Sequence, residues 1–197
     1  MKTVKVSIYI IIVTLSLNNC GSHKVYTQST MVSKPYPAPS LDRNIQEKYL
    51  QAINKVRSTR RSCGKEGSFP AVPALRWNDA LYRAAYEHSN DMLQSKIFSH
   101  KGSGRQSDWT ARVQNYHKGS NFKARIENNG YKQWKNIAEN IEAGASTLEQ
   151  VMQHWLNADA HCANIMNPDF TDVGMAHTYK KDSKWVHYWT QNFAAHQ

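Results

Sequence analysis

The sequence has only three cysteines among its 197 residues and no apolar run long enough to cross a membrane as a helix. Three cysteines are too few for a small scaffold built on several disulfides. The pronounced apolar segment from Val6 to Leu17 is shorter than the roughly 20 residues that a membrane-spanning helix needs. A mean hydropathy of −0.69 also excludes a protein with several membrane spans.

Several common catalytic and nucleic-acid-binding signatures are absent as well. The sequence contains no Gly-x-Ser-x-Gly elbow, no His-Glu-x-x-His, no P-loop, no dinucleotide-binding glycine pattern and no Cys-x-x-Cys. It also lacks RNP, zinc-finger and helix-turn-helix patterns. These absences disfavour the common hydrolase, zinc peptidase, nucleotide-binding and thioredoxin classes, and we expect no nucleic-acid partner.

Positive charge exceeds negative charge, with 25 Lys and Arg against 15 Asp and Glu and a formal net charge of +10. Such a charge favours anionic partners such as phospholipid, lipopolysaccharide or wall polymer, but the simpler interpretation, which we prefer, is a solvated, soluble surface. Hydrophobic residues make up 40% of the chain and aromatic residues 11%, which is enough for a globular core.

The first residues have the pattern of an export signal. Lys2 and Lys5 precede the short apolar segment, and Leu17-Asn18-Asn19-Cys20-Gly21 then resembles the lipobox of a bacterial lipoprotein. We therefore expect a signal peptide over residues 1–19, lipid attachment at Cys20 and an exported protein held at the bacterial cell envelope. The alternative is cleavage elsewhere, which would leave Cys20 removed or free.

Residues 20–40 hold Ser, Thr and three prolines, which is typical of a tether, and we expect one domain over residues 41–197. Helical spacing predicts a first helix from Ile45 to Val56 with Ser40 as a possible cap, and a second after the N-cap Asn78. Residues 101–135 are polar and predict a loop with one short helix at 122–128. Ser146 and Glu149 have the spacing of a capping box before a third amphipathic helix.

The chain ends on a different periodicity. Residues 172–179 and 185–194 alternate as strands and are joined by a predicted turn at residues 180–183. Helices followed by a hairpin predict an α+β fold with an antiparallel sheet.

Several local motifs, taken in order, resemble one known family over residues 45–195. They are Ala74-Leu75-Arg76-Trp77-Asn78, Phe98-Ser99-His100, Asn136-Ile137-Ala138-Glu139-Asn140, His161-Cys162-Ala163-Asn164 and Tyr188-Trp189-Thr190-Gln191-Asn192-Phe193. The chain resembles the bacterial branch of the CAP superfamily, or SCP domain, which also includes cysteine-rich secretory, venom antigen 5 and pathogenesis-related class 1 proteins. The resemblance implies a three-layer α-β-α sandwich around a small antiparallel sheet.

The resemblance also implies a cleft lined by His100, His161 and Glu139. The second acid of the family pattern is replaced by Ala158, and the neighbouring Asp159 is the nearest substitute. Gln191, on the strand face shared with two aromatic residues, is expected to support the cleft from below by bonding backbone.

Two imidazoles on separate segments can each give a nitrogen to a divalent cation, so His100 and His161 are the candidate metal ligands, with Zn²⁺ favoured. Glu139 could orient an imidazole or act as a general base on bound water. The competing interpretation is that the three side chains form a purely structural hydrogen-bonded network.

The resemblance implies a disulfide between Cys63 and Cys162, since an even pair in an exported protein favours one. The alternative is a free Cys162 acting as a nucleophile beside His161. We expect a monomer.

Three functions follow from these features. The favoured one is a non-enzymatic binding module for an envelope lipid or wall fragment. The second is a metal-assisted hydrolase, peptidase-like, with Glu139 as base. The third is a structural or interaction protein that docks a protein partner through residues 101–135.

Overall fold

A computed structural model describes residues 33–196, so the predicted signal peptide, Cys20 and the first part of the predicted tether lie outside the described residues. The helices are α1 (Arg43–Arg57), α2 (Asp79–Ser95), α3 (Trp109–Val113), α4 (Phe122–Asn128), α5 (Leu148–Asn157) and α6 (Asp159–Met166), with a 3-10 turn at Gly64–Glu66. The strands are β1 (Arg61–Ser62), β2 (Ser68–Phe69), β3 (Arg76–Trp77), β4 (Trp134–Ala143), β5 (Asp172–Tyr179) and β6 (His187–His196). Within these residues no helix is long and apolar enough to cross a membrane.

The central sheet has the strand order β3-β5-β6-β4. Strand β6 pairs antiparallel with both β5 and β4, whereas the short β3 pairs parallel with β5. The turn predicted at residues 180–183 is present, but β6 begins two residues later than expected because the loop continues to Val186, which has a positive φ of 66°. Strand β4 was not predicted, since buried polar residues obscure its period-two pattern.

Helices cover both faces of this sheet, which confirms the predicted α-β-α sandwich. Helix α2 lies so close to one face that a Cβ at Gly174 of β5 would overlap the backbone of Leu81 and Tyr82. On the other face, α1 and α5 bury the principal apolar core around Ile53, Trp155 and other side chains. Removing this apolar surface from water is the main stabilising contribution to the fold.

Two predicted helix caps are displaced along the chain. Asp42, not Ser40, accepts the amides at the start of α1. Thr147, not Ser146, accepts the Gln150 amide at the start of α5, while Ser146 contacts the Gln150 side chain. The caps at Asn78 and Asn121 begin α2 and α4, and α4 has the predicted bounds.

Residues 101–135 are joined to the folded domain by buried side chains. Asp108 is buried and accepts the amides of Gly104, Ala111 and Ser120. Buried polar groups that are bonded in this way stabilise a unique arrangement. The segment therefore belongs to the folded domain.

The last residues of the predicted tether are bound to the domain. The Tyr36 amide donates to Asn129 Oδ1 at 2.8 Å, and the Tyr82 hydroxyl donates to the Pro39 carbonyl at 2.9 Å. The Trp109 indole also donates to the Lys34 carbonyl at 2.8 Å. Residues 33–40 thus form a strap against the domain. The sequence predicted a tether here because composition does not show that side chains of the domain form hydrogen bonds with the backbone of these residues.

A disulfide joins Cys63 to Cys162, with Cα atoms 5.4 Å apart, and confirms the pairing that the resemblance implied. It excludes Cys162 as a free nucleophile in this state. The buried Arg57 donates to the carbonyls of Ile165 and Asn167 at the end of α6, the helix that carries Cys162. A cation at the end of a helix is favourable because the last carbonyls lack backbone partners.

We expect the double variant Cys63→Ala/Cys162→Ala to lower the free energy of unfolding by about 4–5 kcal/mol, because the bond closes a loop of 99 residues. Urea unfolding followed by circular dichroism measures the loss. A loss below about 1 kcal/mol would contradict the loop-entropy account of this bond.

Candidate functional site

The candidate site is built around a buried ion pair between α4 and β4. Arg125 Nη2 lies 2.9 Å from Glu139 Oε2 and 3.1 Å from Oε1, and both side chains are 1% exposed. Arg125 Nη1 also donates to the Ser120 carbonyl at 3.1 Å. Sequence analysis missed Arg125. The only signal for it is an arginine between Ala124 and Ile126 on the buried side of a short helix.

His100 lies on the same carboxylate. Its Nδ1 is 3.0 Å from Glu139 Oε1, and its backbone carbonyl accepts a hydrogen bond from Arg125 Nη2 at 2.9 Å. The ion pair therefore holds both the ring and the backbone of this residue. The side chain remains 52% exposed. Since an ionised Glu139 can only accept, Nδ1 carries the hydrogen and Nε2 faces away as a free nitrogen.

Glu139 is held as a carboxylate. Burial alone would raise the pKa of its carboxyl, but the charge of Arg125 and the hydrogen bonds from His100 and Arg125 lower that pKa to about 2. A general base is most effective when its pKa is near the working pH. A carboxylate that binds protons so weakly suits an orienting role better than proton abstraction.

His88 lies behind this group, fully buried on α2. Burial lowers the pKa of its ring to about 3, so the ring is neutral. Its Nε2 is 2.9 Å from the Ser99 carbonyl and 3.9 Å from Glu139 Oε1. His88 thus fixes the segment that leads to His100.

His161, on α6, forms the other side of the cleft. Its ring centroid is 6.4 Å from that of His100. Burial, followed by the proximity of His100, lowers the pKa of the His161 ring. A neutral imidazole retains a nitrogen lone pair, which is the form that binds a metal or accepts a hydrogen bond.

Gln191 lies on β6 of the sheet and supports the cleft. Its side chain was expected to bond backbone, but it bonds the side chain of Asn140. Its Oε1 accepts a hydrogen bond from Asn140 Nδ2 at 3.1 Å, and Asn140 Nδ2 also lies 3.2 Å from the His161 carbonyl. Asn164 Nδ2 donates to Asn140 Oδ1 at 2.9 Å. This amide network, which sequence analysis did not predict, fastens α6 to β4 and β6.

Asp159, which the sequence offered as the second acid of the cleft, contacts the 3-10 turn at Gly64–Glu66. Its Oδ2 accepts the Lys65 backbone amide at 3.1 Å, and its carboxylate lies against Gly64. The side chain therefore caps the 3-10 turn next to the disulfide. The structure brings together His100, Glu139 and His161, supported by Gln191.

Chemically, this cleft offers two imidazole nitrogens and a carboxylate that is already occupied. Among residues 33–196 no group of three or more His, Cys, Asp and Glu side chains is arranged to hold a metal ion. An ion bound here would thus have two protein ligands, and its remaining positions would be free for water or a ligand.

We expect Arg125→Leu to lower the free energy of unfolding by about 3–5 kcal/mol, because it leaves the Glu139 carboxylate buried without its partner. Arg125→Leu/Glu139→Gln should recover most of this loss, since the remaining side chain is neutral. Urea unfolding of both variants measures the difference.

Lys123→Leu is the matched control, because Lys123 lies on the same helix, is exposed and is 4.0 Å from Glu127. An exposed pair of this kind contributes at most about 0.5 kcal/mol. Equal losses for Arg125→Leu and Lys123→Leu would contradict the central role of the buried pair.

A family model and two curated relatives match this chain. The model of the cysteine-rich secretory protein family, CAP, matches residues 50–193. The uncharacterized protein YkwD of Bacillus subtilis is 29% identical over 156 residues, which are 79% of this chain and 49% of YkwD. The uncharacterized membrane protein YlbC of the same organism is 27% identical over 119 residues, or 60% of this chain and 28% of YlbC. The chain thus spans about half or less of the length of these curated relatives.

Solved structures show the same fold. An outer surface protein from Borrelia burgdorferi aligns with a TM-score of 0.58 and 16% identity, over 80% of this chain and 97% of that one. An extracellular protein with an SCP domain from Bacillus anthracis aligns with a TM-score of 0.51 and 21% identity, over 80% of this chain and 45% of that one. Because the family model covers most of the described domain and the fold agrees, the chain belongs to the cysteine-rich secretory protein (CAP) family.

Proposed function

We propose that this protein is an exported, non-enzymatic binding module of the bacterial cell envelope, with its ligand site at the His100–His161 cleft. The observation that carries the proposal is the hydrogen bond from His100 Nδ1 to the Glu139 carboxylate, whose negative charge is balanced by the ion pair with Arg125. A carboxylate behind an imidazole fixes the ring orientation and makes the outward nitrogen a better ligand. The cleft is thus prepared to bind through His100 Nε2 and the His161 ring.

Binding is favoured over hydrolysis by what the cleft side chains can do. The low pKa of Glu139, about 2, makes it a weak base, and both its oxygens are engaged. The nearby Cys162 is bonded to Cys63. A hydrolase would need a nucleophile or a base that accepts a proton near neutral pH.

A divalent cation fits the donor set of the cleft. Imidazole is a common ligand for Zn²⁺, and the carboxylate partner behind His100 is typical of ligating histidines. His161 is neutral because burial lowers its pKa, so its lone pair is free. We propose that Zn²⁺ binds exchangeably to His100 and His161 and that a lipid or wall-derived ligand completes its coordination.

The export proposal is supported by the disulfide, since disulfides persist in oxidising compartments and are rare in the cytosol. Without residues 1–19, which hold two lysines and no acidic residue, the formal net charge is +8, which favours envelope polymers and lipids as neighbours. The structural relatives described as an outer surface protein and as an extracellular protein are consistent with this placement. We propose that lipid on Cys20 anchors a monomeric domain to a membrane.

We expect metal-stripped protein beginning at Met31, which contains the compact unit of the chain, to bind Zn²⁺ with micromolar affinity by calorimetry. The variant His100→Ala/His161→Ala should weaken binding at least tenfold, because it removes both nitrogens.

His154→Ala is the matched control, because His154 is also exposed and its Nδ1 lies 2.9 Å from the carboxylate of Glu142. It should bind Zn²⁺ like the parent protein. Equal affinity in the double variant and this control would exclude the cleft as the metal site, and a lack of any Zn²⁺ binding would leave the side chains as a structural network.

We expect Cys20→Ala to release the full-length protein from the membrane fraction of its host, because it removes the proposed site of lipid attachment. Fractionation followed by immunoblotting measures the shift. Retention of the variant at the parent level would contradict anchoring through Cys20.

A further inference from the structure

Two loops meet beside one end of the central sheet. Residues 96–101 follow α2, and residues 180–186 join β5 to β6. The rings of Phe98 and Trp185 lie 5.7 Å apart, and Trp185 packs edge-on against the buried Tyr188 at 5.9 Å. The indole is therefore held in place, while Phe98 is 43% exposed.

The two loops that carry this aromatic pair also carry five lysines. Lys184 Nζ lies 4.1 Å from the centroid of the Trp185 ring. Within the two loops the only acidic residue is Asp182. We call the following set the aromatic–lysine surface: Phe98, Trp185, Lys96, Lys101, Lys180, Lys181 and Lys184. All five lysines are exposed, and none forms an ion pair within residues 33–196.

We propose that the aromatic–lysine surface docks on an anionic phospholipid membrane. Aromatic rings and lysines are the residues that occupy the boundary between lipid and water, where the ring enters the headgroup region and the ammonium groups reach the phosphates. Each lysine near an anionic membrane contributes about 1 kcal/mol to the binding free energy. The net excess of four positive charges in the two loops therefore favours binding of this surface to such a membrane. An exposed phenylalanine beside a fixed indole supplies the apolar contact.

A protein partner is the weaker interpretation of the same surface. Protein interfaces are depleted in lysine and enriched in arginine, and these two loops contain five lysines and no arginine. The proposal is independent of what the cleft binds. Because His100 follows Phe98 by two residues, docking would also bring the cleft near the membrane.

Co-sedimentation with vesicles tests the proposal, using protein that begins at Met31 so that neither the apolar segment nor Cys20 contributes. We expect binding to vesicles of phosphatidylglycerol and phosphatidylcholine, which weakens as salt rises, and little binding to phosphatidylcholine alone. Lys180→Gln/Lys181→Gln/Lys184→Gln should weaken binding by about fivefold per lysine. Phe98→Ser should weaken it severalfold at every salt concentration.

Matched controls lie on and near α1, which packs on the face of the sheet opposite α2. Lys48→Gln/Lys55→Gln/Lys65→Gln removes the same charge from exposed positions, and Ile45→Ser removes an apolar side chain that is 40% exposed. Both should bind like the parent protein. Equal weakening by the two triple variants, equal binding to both vesicle types, or no binding at all would overturn the proposal.

Discussion

The ion pair between Arg125 and Glu139 is the interaction on which the candidate site depends. Two buried charges cost several kcal/mol each to remove from water, and they are stable together only when good geometry and further hydrogen bonds compensate. Both conditions are met here, since the carboxylate also accepts from His100 and the guanidinium also donates to the His100 and Ser120 carbonyls. One pair therefore fastens α4, β4 and the loop after α2 to each other.

The other half of the cleft is held by an independent set of contacts. Helix α6 is bound to the rest of the chain by the disulfide at Cys162, by Arg57 at its final carbonyls and by Asn164 on the strand residue Asn140. His161 lies on this helix. It faces His100, which is positioned across the cleft by Glu139 and Arg125. The distance between the two rings thus reflects two rigid supports, and pre-organised groups lose little freedom when a ligand binds.

Polar residues build much of the domain where composition suggests loops. Asp108 accepts three backbone amides, and the buried Glu87 accepts from Thr110 and from Asn129. Burial raises the pKa of Glu87 to about 7 despite these bonds. Such networks stabilise the fold only as complete sets, and they bond residues 101–135 and the strap to the rest of the domain.

The sequence by itself determined the α+β class, helix α2, the hairpin from β5 to β6, the family and the residues His100, Glu139 and His161, because local periodicity, caps and motifs carry that information. Only the tertiary structure decided that Arg125 neutralises Glu139, that Asp159 caps a turn and that residues 33–40 bind the domain. Sequence patterns could not reveal these, since they depend on which distant polar groups meet once burial removes water as their partner.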